Sequence, residues 1–252
     1  MDNLPIGHSI VWLSKVDSTN RYAATHATQA SSHGVVIATH DQTEGRGQGG
    51  NTWESQKNLN LTFSIIIHPK SLSPSKQFLL SKVVSIGLVD MLTSLTNRLV
   101  SIKWPNDICI NNCKVAGILI ENTICGTTLE TSIVGVGLNV NQIQFPNDIP
   151  NPTSLAIETN RTFNLNDLLK DICSAIDLRY SQLCKGMANT ISSEYFSALY
   201  RRNDFYPYMT KGQMFIARIH GVKDSGELQL ETKEGEVIDF QFKEVQFARV
   251  TY

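Results

Sequence analysis

The sequence predicts an α+β fold in which a large mixed domain is followed by a small β module. Two observations concern the first 203 residues: a helical spacing of apolar residues over 74–95, and strand patterns on both sides of it. The third concerns the chain after Asp204, where short strand patterns alternate with polar turns. We therefore expect two domains, at residues 1–203 and 204–252.

In the first domain, apolar or alternating stretches predict strands at residues 8–16, 35–38, 60–67, 99–104, 115–121 and 130–140. Apolar residues at helical spacing predict a long helix over 74–95 and another that begins after Asn164, a residue type that favours the N-cap position. Shorter helices are expected at 20–30 and 192–201. This order is typical of a mixed sheet covered by helices.

The second domain shows strand patterns at residues 213–219, 227–231, 236–242 and 245–250. Polar turns that contain glycine, at 223–226 and 233–235, separate the second strand pattern from the first and the third. A β module of about fifty residues is too small for a sandwich and suits a small barrel.

The composition and charge of the 252-residue chain disfavour several classes of protein. A formal net charge of -1 without a long basic run argues against nucleic-acid binding. The apolar stretch near 78–95 is interrupted by Ser81, Lys82, Ser85 and Asp90, and the first residues lack a signal-peptide pattern, so no membrane association is expected. Five cysteines without paired spacing and six histidines without ligand spacing predict a cytoplasmic protein with reduced thiols and no structural metal.

Residues 40–60 form a predicted long loop, which we call the glycine loop. It contains Gly45-Arg46-Gly47-Gln48-Gly49-Gly50, which matches a dinucleotide-binding motif by letter. That motif needs a helix directly after it, and here a strand pattern follows instead, so a nicotinamide site is disfavoured. Glycines can still let backbone amides approach a phosphate, with Arg46 as a cation beside them. The other interpretation is a flexible surface loop.

Further motifs stand in a definite order around the glycine loop. They are Asp17-Ser18-Thr19-Asn20, Gln42-Thr43-Glu44-Gly45-Arg46-Gly47, Trp53-Glu54-Ser55, Asn60-Leu61-Thr62-Phe63-Ser64, Lys103-Trp104-Pro105-Asn106-Asp107-Ile108, Lys114-Val115-Ala116-Gly117-Ile118-Leu119-Ile120-Glu121, Val136-Gly137-Leu138-Asn139-Val140-Asn141 and Thr153-Ser154-Leu155. In this order and at these intervals, they resemble the catalytic domain of biotin protein ligases over about residues 10–200. The β module resembles the small C-terminal domain of the same family.

The resemblance implies a mixed sheet related to that of class II aminoacyl-tRNA synthetases, with a C-terminal SH3-like barrel. It also implies a reaction in two steps. The biotin carboxylate attacks the α-phosphate of ATP to give biotinyl-5'-AMP, and a lysine of a biotin carboxyl carrier protein then attacks the mixed anhydride. ATP with Mg²⁺ and biotin are the expected ligands, the carrier domain of a biotin-dependent carboxylase is the expected partner, and the protein is expected to be a monomer or homodimer.

By the same resemblance, Lys114 and Arg46 are the catalytic cations, because phosphate charge must be neutralised in the transition state. Hydroxyl and amide groups suit the ureido ring of biotin, which needs both donors and acceptors. The residues expected to bind biotin are Ser18, Thr19, Asn20, Gln42, Gly45, Arg46, Gly47, Lys114 and Gly117. Those expected to bind ATP or the adenylate are Arg46, Gln48, Trp53, Asn106, Asp107 and Asn139.

Taken singly, several of these residues have ordinary structural explanations. Ser18 and Thr19 could cap the helix that follows them. Trp104 is expected to be a plain core residue. Lys114 alone would be interpreted as a solvated lysine, and only its position before Val115-Ala116-Gly117 points to a site.

The sequence departs from the family at Gln48, where many biotin ligases have a basic residue, and Gly49-Gly50-Asn51 also replaces residues that are often basic. One cation fewer over the adenylate phosphate is expected to weaken retention of this intermediate. Some relatives have an N-terminal DNA-binding domain and repress biotin synthesis genes. Here the catalytic pattern starts near residue 10, and we expect no repressor function.

Two other functions fit parts of the sequence. A lipoate or other acyl-adenylate transferase shares the sheet, but the Gly45-Arg46-Gly47 motif and the motif at 103–107 together favour biotin. A non-catalytic biotin or adenylate sensor would keep the pocket, yet it has no need for both Arg46 and Lys114. Exchange of pyrophosphate into ATP, with biotin or lipoate as the acid, separates all three.

Overall fold

The computed structural model describes residues 4–70 and 72–248. Its strands and helices follow in the order β1 (Ser9–Leu13), α1 (Thr19–His26), β2 (Val35–Thr39), β3 (Leu61–Ile67), α2 (Phe78–Leu95), β4 (Val100–Lys103), β5 (Asp107–Ile110), β6 (Cys113–Cys125), β7 (Thr128–Leu138), α3 (Leu155–Thr159), α4 (Leu165–Cys184), α5 (Ala188–Ser197), β8 (Tyr206–Thr210), β9 (Gln213–Val222), β10 (Leu228–Thr232), β11 (Val237–Phe240) and β12 (Gln246–Phe247). Short 3-10 turns lie at Ala30–Ser32, Gln48–Gly50 and Pro74–Lys76.

Seven strands form one mixed sheet in the order β1-β2-β3-β7-β6-β5-β4. The β1–β2 pair is parallel, and the other neighbouring pairs are antiparallel. The interior strand β3 is buried along its whole length, and its Phe63 lies opposite Val136 of β7. Leu61, Phe63, Ile65 and Ile67 of this strand belong to the main hydrophobic core, and the polar residues Thr62 and Ser64 alternate with them in its first half.

Helix α2 packs against α4 and α5 and is apolar around most of its circumference. Its crossing with α4 requires a glycine at Gly87, because an added Cβ would stand 2.9 Å from the Cα of Ile176. The segment Pro74–Leu95 is long and apolar enough, by composition, to span a bilayer, but 61% of its most apolar 18 residues are buried inside the protein. Such burial is typical of a core helix.

The C-terminal strands form a five-stranded antiparallel sheet in the order β11-β10-β9-β8-β12. Its inward side chains, such as Tyr208 and Leu230, are fully buried and share one hydrophobic core with the first sheet and its helices. The predicted α+β fold with a small SH3-like β module is confirmed. The division into domains at 203 and 204 stays a prediction.

Two buried polar contacts fix the C-terminal sheet against the rest of the chain. The ammonium of Lys82 in α2, only 1% exposed, donates to Asp224 at 2.7 Å and to the Ser192 hydroxyl at 3.0 Å. The Trp104 side chain is buried, as predicted, and its indole N–H donates to the carbonyl of Gly226 at 2.9 Å. Because an unpaired buried ammonium is costly, these contacts define where the turn after β9 docks.

Three elements lie outside the predicted pattern: β5, β8 and α3. Each has only four or five residues, and β8 contains Pro207, so none repeats its apolar period often enough to be recognised. By contrast, Asn164 caps α4 as predicted, with its side-chain oxygen accepting two backbone N–H groups. Of the predicted strand at 245–250, β12 is observed, and residues 249–250 lie outside the described part of the chain.

Candidate active site

A cleft of about 450 Å³ opens between the two sheets. Its walls come from the start of α1, the glycine loop, strands β3, β5, β6 and β7, and the segment that follows β11. The volume is in the range of small-molecule sites. Of the predicted site residues, the cleft brings together Ser18, Thr19, Asn20, Gln42, Arg46, Gly47, Gln48, Trp53, Asn106, Asp107, Lys114 and Gly117.

The start of α1 forms a buried polar wall of the cleft. Ser18 and Thr19 are each only 3% exposed. Ser18 occupies the N-cap position, but its hydroxyl makes no capping hydrogen bond. The side-chain oxygen of Gln42 instead accepts the backbone N–H of Thr19 at 2.9 Å. The Ser18 side chain therefore does not cap the helix, and its hydroxyl remains available in the cleft.

Ser64, in β3, supports this wall from behind, although it was not among the predicted site residues. Its fully buried hydroxyl lies 2.8 Å from the hydroxyl of Thr19 and 2.6 Å from the amide oxygen of Asn20. The amide N–H of Asn20 points away from Ser64 and donates to Glu121 at 2.7 Å. Donors and acceptors of the wall are thus held in fixed positions by their neighbours.

Three glycines of β6 and β7, Gly117, Gly135 and Gly137, form a glycine strip along the cleft. A Cβ at Gly137 would stand 2.2 Å from the ring of Trp53, and one at Gly135 would stand 2.4 Å from Asn20. Only glycine allows these side chains to lie against the sheet. Of the strip, Gly117 alone was a predicted site residue.

Arg46 crosses from the glycine loop to β6, where its guanidinium donates to Glu121 at 2.8 Å. Asn20 donates to the same carboxylate oxygen, so one carboxylate orders two predicted biotin-binding residues. Glu121 is the last residue of the motif at 114–121, but nothing in the sequence distinguished it from an ordinary surface carboxylate. The charge of Arg46 is thus balanced before any ligand binds.

Lys114 and Asp107 form a second pair, on the adjacent strands β6 and β5. Their ammonium and carboxylate are 2.6 Å apart, and the ammonium lies 5.5 Å from the centre of the Trp53 ring. An ammonium over an indole face is attracted by the ring's negative face. Beside this pair, the amide of Asn106 donates to the carbonyl of Ile118 at 2.9 Å, which holds the segment just before β5 against β6.

Two buried N–H groups of the cleft have no hydrogen-bond partner among the described residues: Nε of Arg46 and Nε1 of Trp53. Buried donors in folded proteins are nearly always paired. Both belong to side chains that line the cleft. A ligand that brings hydrogen-bond acceptors into the cleft would supply partners for such donors.

Gly45 and Asn139 do not line the cleft, although both were predicted site residues. Gly45 lets two parts of the glycine loop meet, because a Cβ there would stand 2.1 Å from the carbonyl oxygen of Trp53. Asn139 is 5% exposed, and its amide donates to the carbonyl of Thr153 at 3.0 Å. Their assignment to the site stays a prediction.

Two of the five cysteines, Cys109 and Cys173, are buried. Burial raises the pKa of the Cys109 and Cys173 thiols to about 12, so neither is a thiolate nucleophile at neutral pH. Within residues 4–70 and 72–248, no three His, Cys, Asp or Glu side chains are grouped to hold a metal ion.

The mixed sheet carries a polar, glycine-lined cleft with two ordered cations, an arrangement that suits a small anionic ligand. The chain belongs to the biotin/lipoate A/B protein ligase family, whose sequence model matches residues 12–139.

The chain is similar in sequence or in fold to several proteins with related names. It is 27% identical over 233 residues to the bifunctional ligase/repressor BirA of Bacillus spizizenii, covering 91% of this chain and 71% of that protein. It is 33% identical over 132 residues to the biotin--[acetyl-CoA-carboxylase] ligase of Paracoccus denitrificans, covering 51% of this chain and 53% of that protein. The biotin protein ligase from Aquifex aeolicus, solved with biotin and ATP, shares the fold with a TM-score of 0.80 and 24% identity over 96% of this chain and 100% of that one.

Proposed function

We propose that this protein is a biotin protein ligase, which activates biotin with ATP to biotinyl-5'-AMP and then transfers biotin to a lysine of a biotin carboxyl carrier domain. The observation behind this proposal is the pair of unpartnered buried donors, Arg46 Nε and Trp53 Nε1, in a cleft with two ordered cations. The relative from Paracoccus denitrificans, which is named as a biotin ligase, supports the choice of biotin as the acid.

The polar wall at the start of α1 suits the ureido ring of biotin. That ring presents one carbonyl and two N–H groups, and a wall of hydroxyl and amide side chains can match both kinds. The Ser18 hydroxyl is free of helix capping, and Thr19 and Gln42 are already joined by hydrogen bonds. Because these groups are buried, a ligand that left them unpaired would bind poorly.

In the first step, an oxygen of the biotin carboxylate attacks the α-phosphorus of ATP, and the bond from phosphorus to pyrophosphate breaks. Negative charge concentrates on the phosphate oxygens, and Arg46 and Lys114 would balance it. Both cations are held at rest by Glu121 and Asp107, so their side chains need little reordering when the phosphate replaces a carboxylate as partner.

Mg²⁺ that accompanies ATP fits the donor set of the cleft. This ion binds through one or two carboxylates together with phosphate oxygens and waters. Asp107 is the carboxylate that lines the cleft within the described residues, beside Asn106. When bound, the metal would neutralise phosphate charge and help to orient the leaving pyrophosphate.

In the second step, the carrier lysine amine forms an amide with the biotin carbonyl carbon, and the C–O bond to AMP breaks. The Trp53 ring lies over the glycine strip and beside Lys114, where it would cover the adenylate and exclude water. Protection of the mixed anhydride from hydrolysis is needed until the carrier arrives. We expect the reaction to take place in the cytoplasm.

ATP–pyrophosphate exchange tests this function with the purified protein. Exchange that depends on biotin and not on lipoate is expected, whereas lipoate dependence would indicate a lipoate ligase and no exchange with either acid would indicate a sensor. Trp53→Phe keeps an aromatic ring but removes the unpartnered N–H together with part of the indole, so it is expected to weaken ligand binding by about fivefold or more if Trp53 meets the ligand.

A further inference from the structure

Three cationic side chains line the cleft: Arg46, Lys114 and Lys243. The first two are each paired with a carboxylate, at 2.8 and 2.6 Å. Within residues 4–70 and 72–248, no carboxylate lies within 4.0 Å of the Lys243 ammonium. Lys243 therefore gives the cleft its net positive charge before any ligand binds.

Lys243 reaches the cleft from the C-terminal sheet, in the turn between β11 and β12. Its ammonium donates to the carbonyl of Gly49 in the glycine loop at 2.6 Å, across 194 positions of sequence. Residues 47–52 of that loop contain no charged side chain. The docked C-terminal sheet thus places a cation at the part of the loop that has none of its own.

Gly49 is shaped for this contact. Its φ is +67°, and an added Cβ would stand 2.2 Å from the Cε atom of Lys243. Any larger residue would push the lysine away from the loop. A neutral carbonyl is a weaker partner for an ammonium than a phosphate oxygen, so an entering phosphate would be the preferred acceptor.

We propose that Lys243 binds the nucleotide phosphates and supplies the charge that the glycine loop lacks around Gln48. The identity of the phosphate compound as ATP rests on the proposed function. Arg46 and Lys114 are compensated by Glu121 and Asp107, so they leave much of the triphosphate charge unbalanced. Lys243 balances part of it from the opposite wall of the cleft.

The test measures the affinity for Mg-ATP by calorimetry, at low and at high salt, for the wild type and matched variants. Lys243→Gln can still donate an N–H to Gly49 but has no charge, whereas Lys243→Arg keeps the charge. Lys211→Gln is the control, because Lys211 is exposed on the same sheet and has a φ of +48°, close to the +70° of Lys243.

We expect Lys243→Gln to weaken ATP binding about five- to tenfold at low salt and less at high salt, because the lost contact is ionic. The ATP affinity of Lys243→Arg is expected to stay within about twofold of that of the wild type. The ATP affinity of Lys211→Gln should equal that of the wild type. The affinity for biotin alone should not change in any variant. Unchanged ATP affinity in Lys243→Gln would overturn the proposal, and so would an equal loss in Lys243→Arg.

Biotin-dependent pyrophosphate exchange of the wild type, measured in parallel, separates this inference from the proposed function. Weakened ATP binding in Lys243→Gln without exchange in the wild type would support the phosphate contact and remove the ligase proposal. Normal exchange in the wild type with unchanged ATP affinity in Lys243→Gln would remove the role of Lys243 alone.

Discussion

The ammonium of Lys114 and the carboxylate of Asp107 are 2.6 Å apart on neighbouring strands of the central sheet. Strands β5 and β6 are joined by a short connection and shift register between Ile108 and Cys109, so the backbone fixes where both side chains start. The lysine is thereby directed into the cleft and cannot extend freely into solvent. An entering phosphate finds a cation whose position is already determined.

Lys114→Ala is expected to lower adenylate formation by about two to three orders of magnitude. Removing one contact to charge that develops in the transition state typically costs about 2.7–4 kcal/mol. The measurement is the rate of biotin-dependent ATP–pyrophosphate exchange at saturating ATP and biotin. A rate like that of the wild type would contradict the assignment of Lys114 as a catalytic cation.

The double variant Lys114→Ala with Asp107→Asn shows why the rate falls. Alanine at 114 leaves the Asp107 carboxylate without its partner in the cleft, and this carboxylate would then repel the phosphate. The single variant Asp107→Asn is measured beside it, because Asp107 is also the proposed Mg²⁺ ligand and its loss alone can lower the rate. If the missing cation is the cause, adding Asp107→Asn to Lys114→Ala restores little of the rate. Recovery of most of the rate would instead assign the loss to the bare carboxylate.

Site residues that stand in local sequence motifs could be predicted from the sequence. Site residues whose contacts depend on how distant elements pack together could not. Arg46, Trp53 and Lys114 stand in recognisable motifs, and all three line the cleft. Lys243 has no such motif, because its contact with Gly49 depends on how the C-terminal sheet docks. The same holds for Ser64, whose role is visible only once β3 lies behind α1.

Glu121→Gln is expected to tighten ATP binding by about two- to fivefold at low salt. The carboxylate competes with phosphate for the Arg46 guanidinium, and the amide removes this competition while keeping an acceptor for Asn20. Calorimetric titration with Mg-ATP at two salt concentrations measures the change, which should shrink at the higher one.

Glu130→Gln is the matched control for this change, because Glu130 is exposed on β7 and does not line the cleft. Its ATP affinity should equal that of the wild type. Glu121 can help ATP binding by positioning Arg46, or hinder it by competing with phosphate. Weaker ATP binding in Glu121→Gln would show that the positioning effect is the larger one.

A buried histidine is expected to make stability depend on pH. Burial lowers the pKa of His33 below its ordinary value of 6.5, and the nearby charge of His68 lowers it further, against the opposite effect of Asp177. The Nδ1 atom of His33 accepts the backbone N–H of His68 at 3.0 Å, which favours the neutral ring. The unfolded chain then binds more protons than the folded one below pH 6.5, so the free energy of unfolding should decrease as the pH falls through 6.5 towards the folded pKa.

His33→Asn tests this dependence, because the amide oxygen can keep the acceptor for the His68 backbone but cannot titrate. Urea unfolding between about pH 5 and 7.5 should give a shallower loss of stability for this variant than for the wild type. His26→Asn changes an exposed histidine and should leave the slope as it is. Equal slopes in His33→Asn and the wild type would show that His33 is not the responsible group.

Gln48→Arg tests the missing cation of the glycine loop. Gln48 lines the cleft next to Gly49, the residue whose carbonyl Lys243 contacts. A charged hydrogen bond is roughly twice as strong as a neutral one, so an arginine at 48 should slow release of biotinyl-5'-AMP. A gain of about 1–2 kcal/mol corresponds to about five- to thirtyfold in the off-rate.

The size of this effect should depend on Lys243. In the wild type, Lys243 already supplies a cation at the same turn of the loop, so the gain is expected near the lower limit of about fivefold. In Lys243→Gln, where that cation is absent, the same arginine should give the full effect. Stopped-flow measurement of adenylate release from the four proteins of this cycle provides the coupling between the two positions. An off-rate that does not change with Gln48→Arg in either background would mean that residue 48 does not face the phosphate.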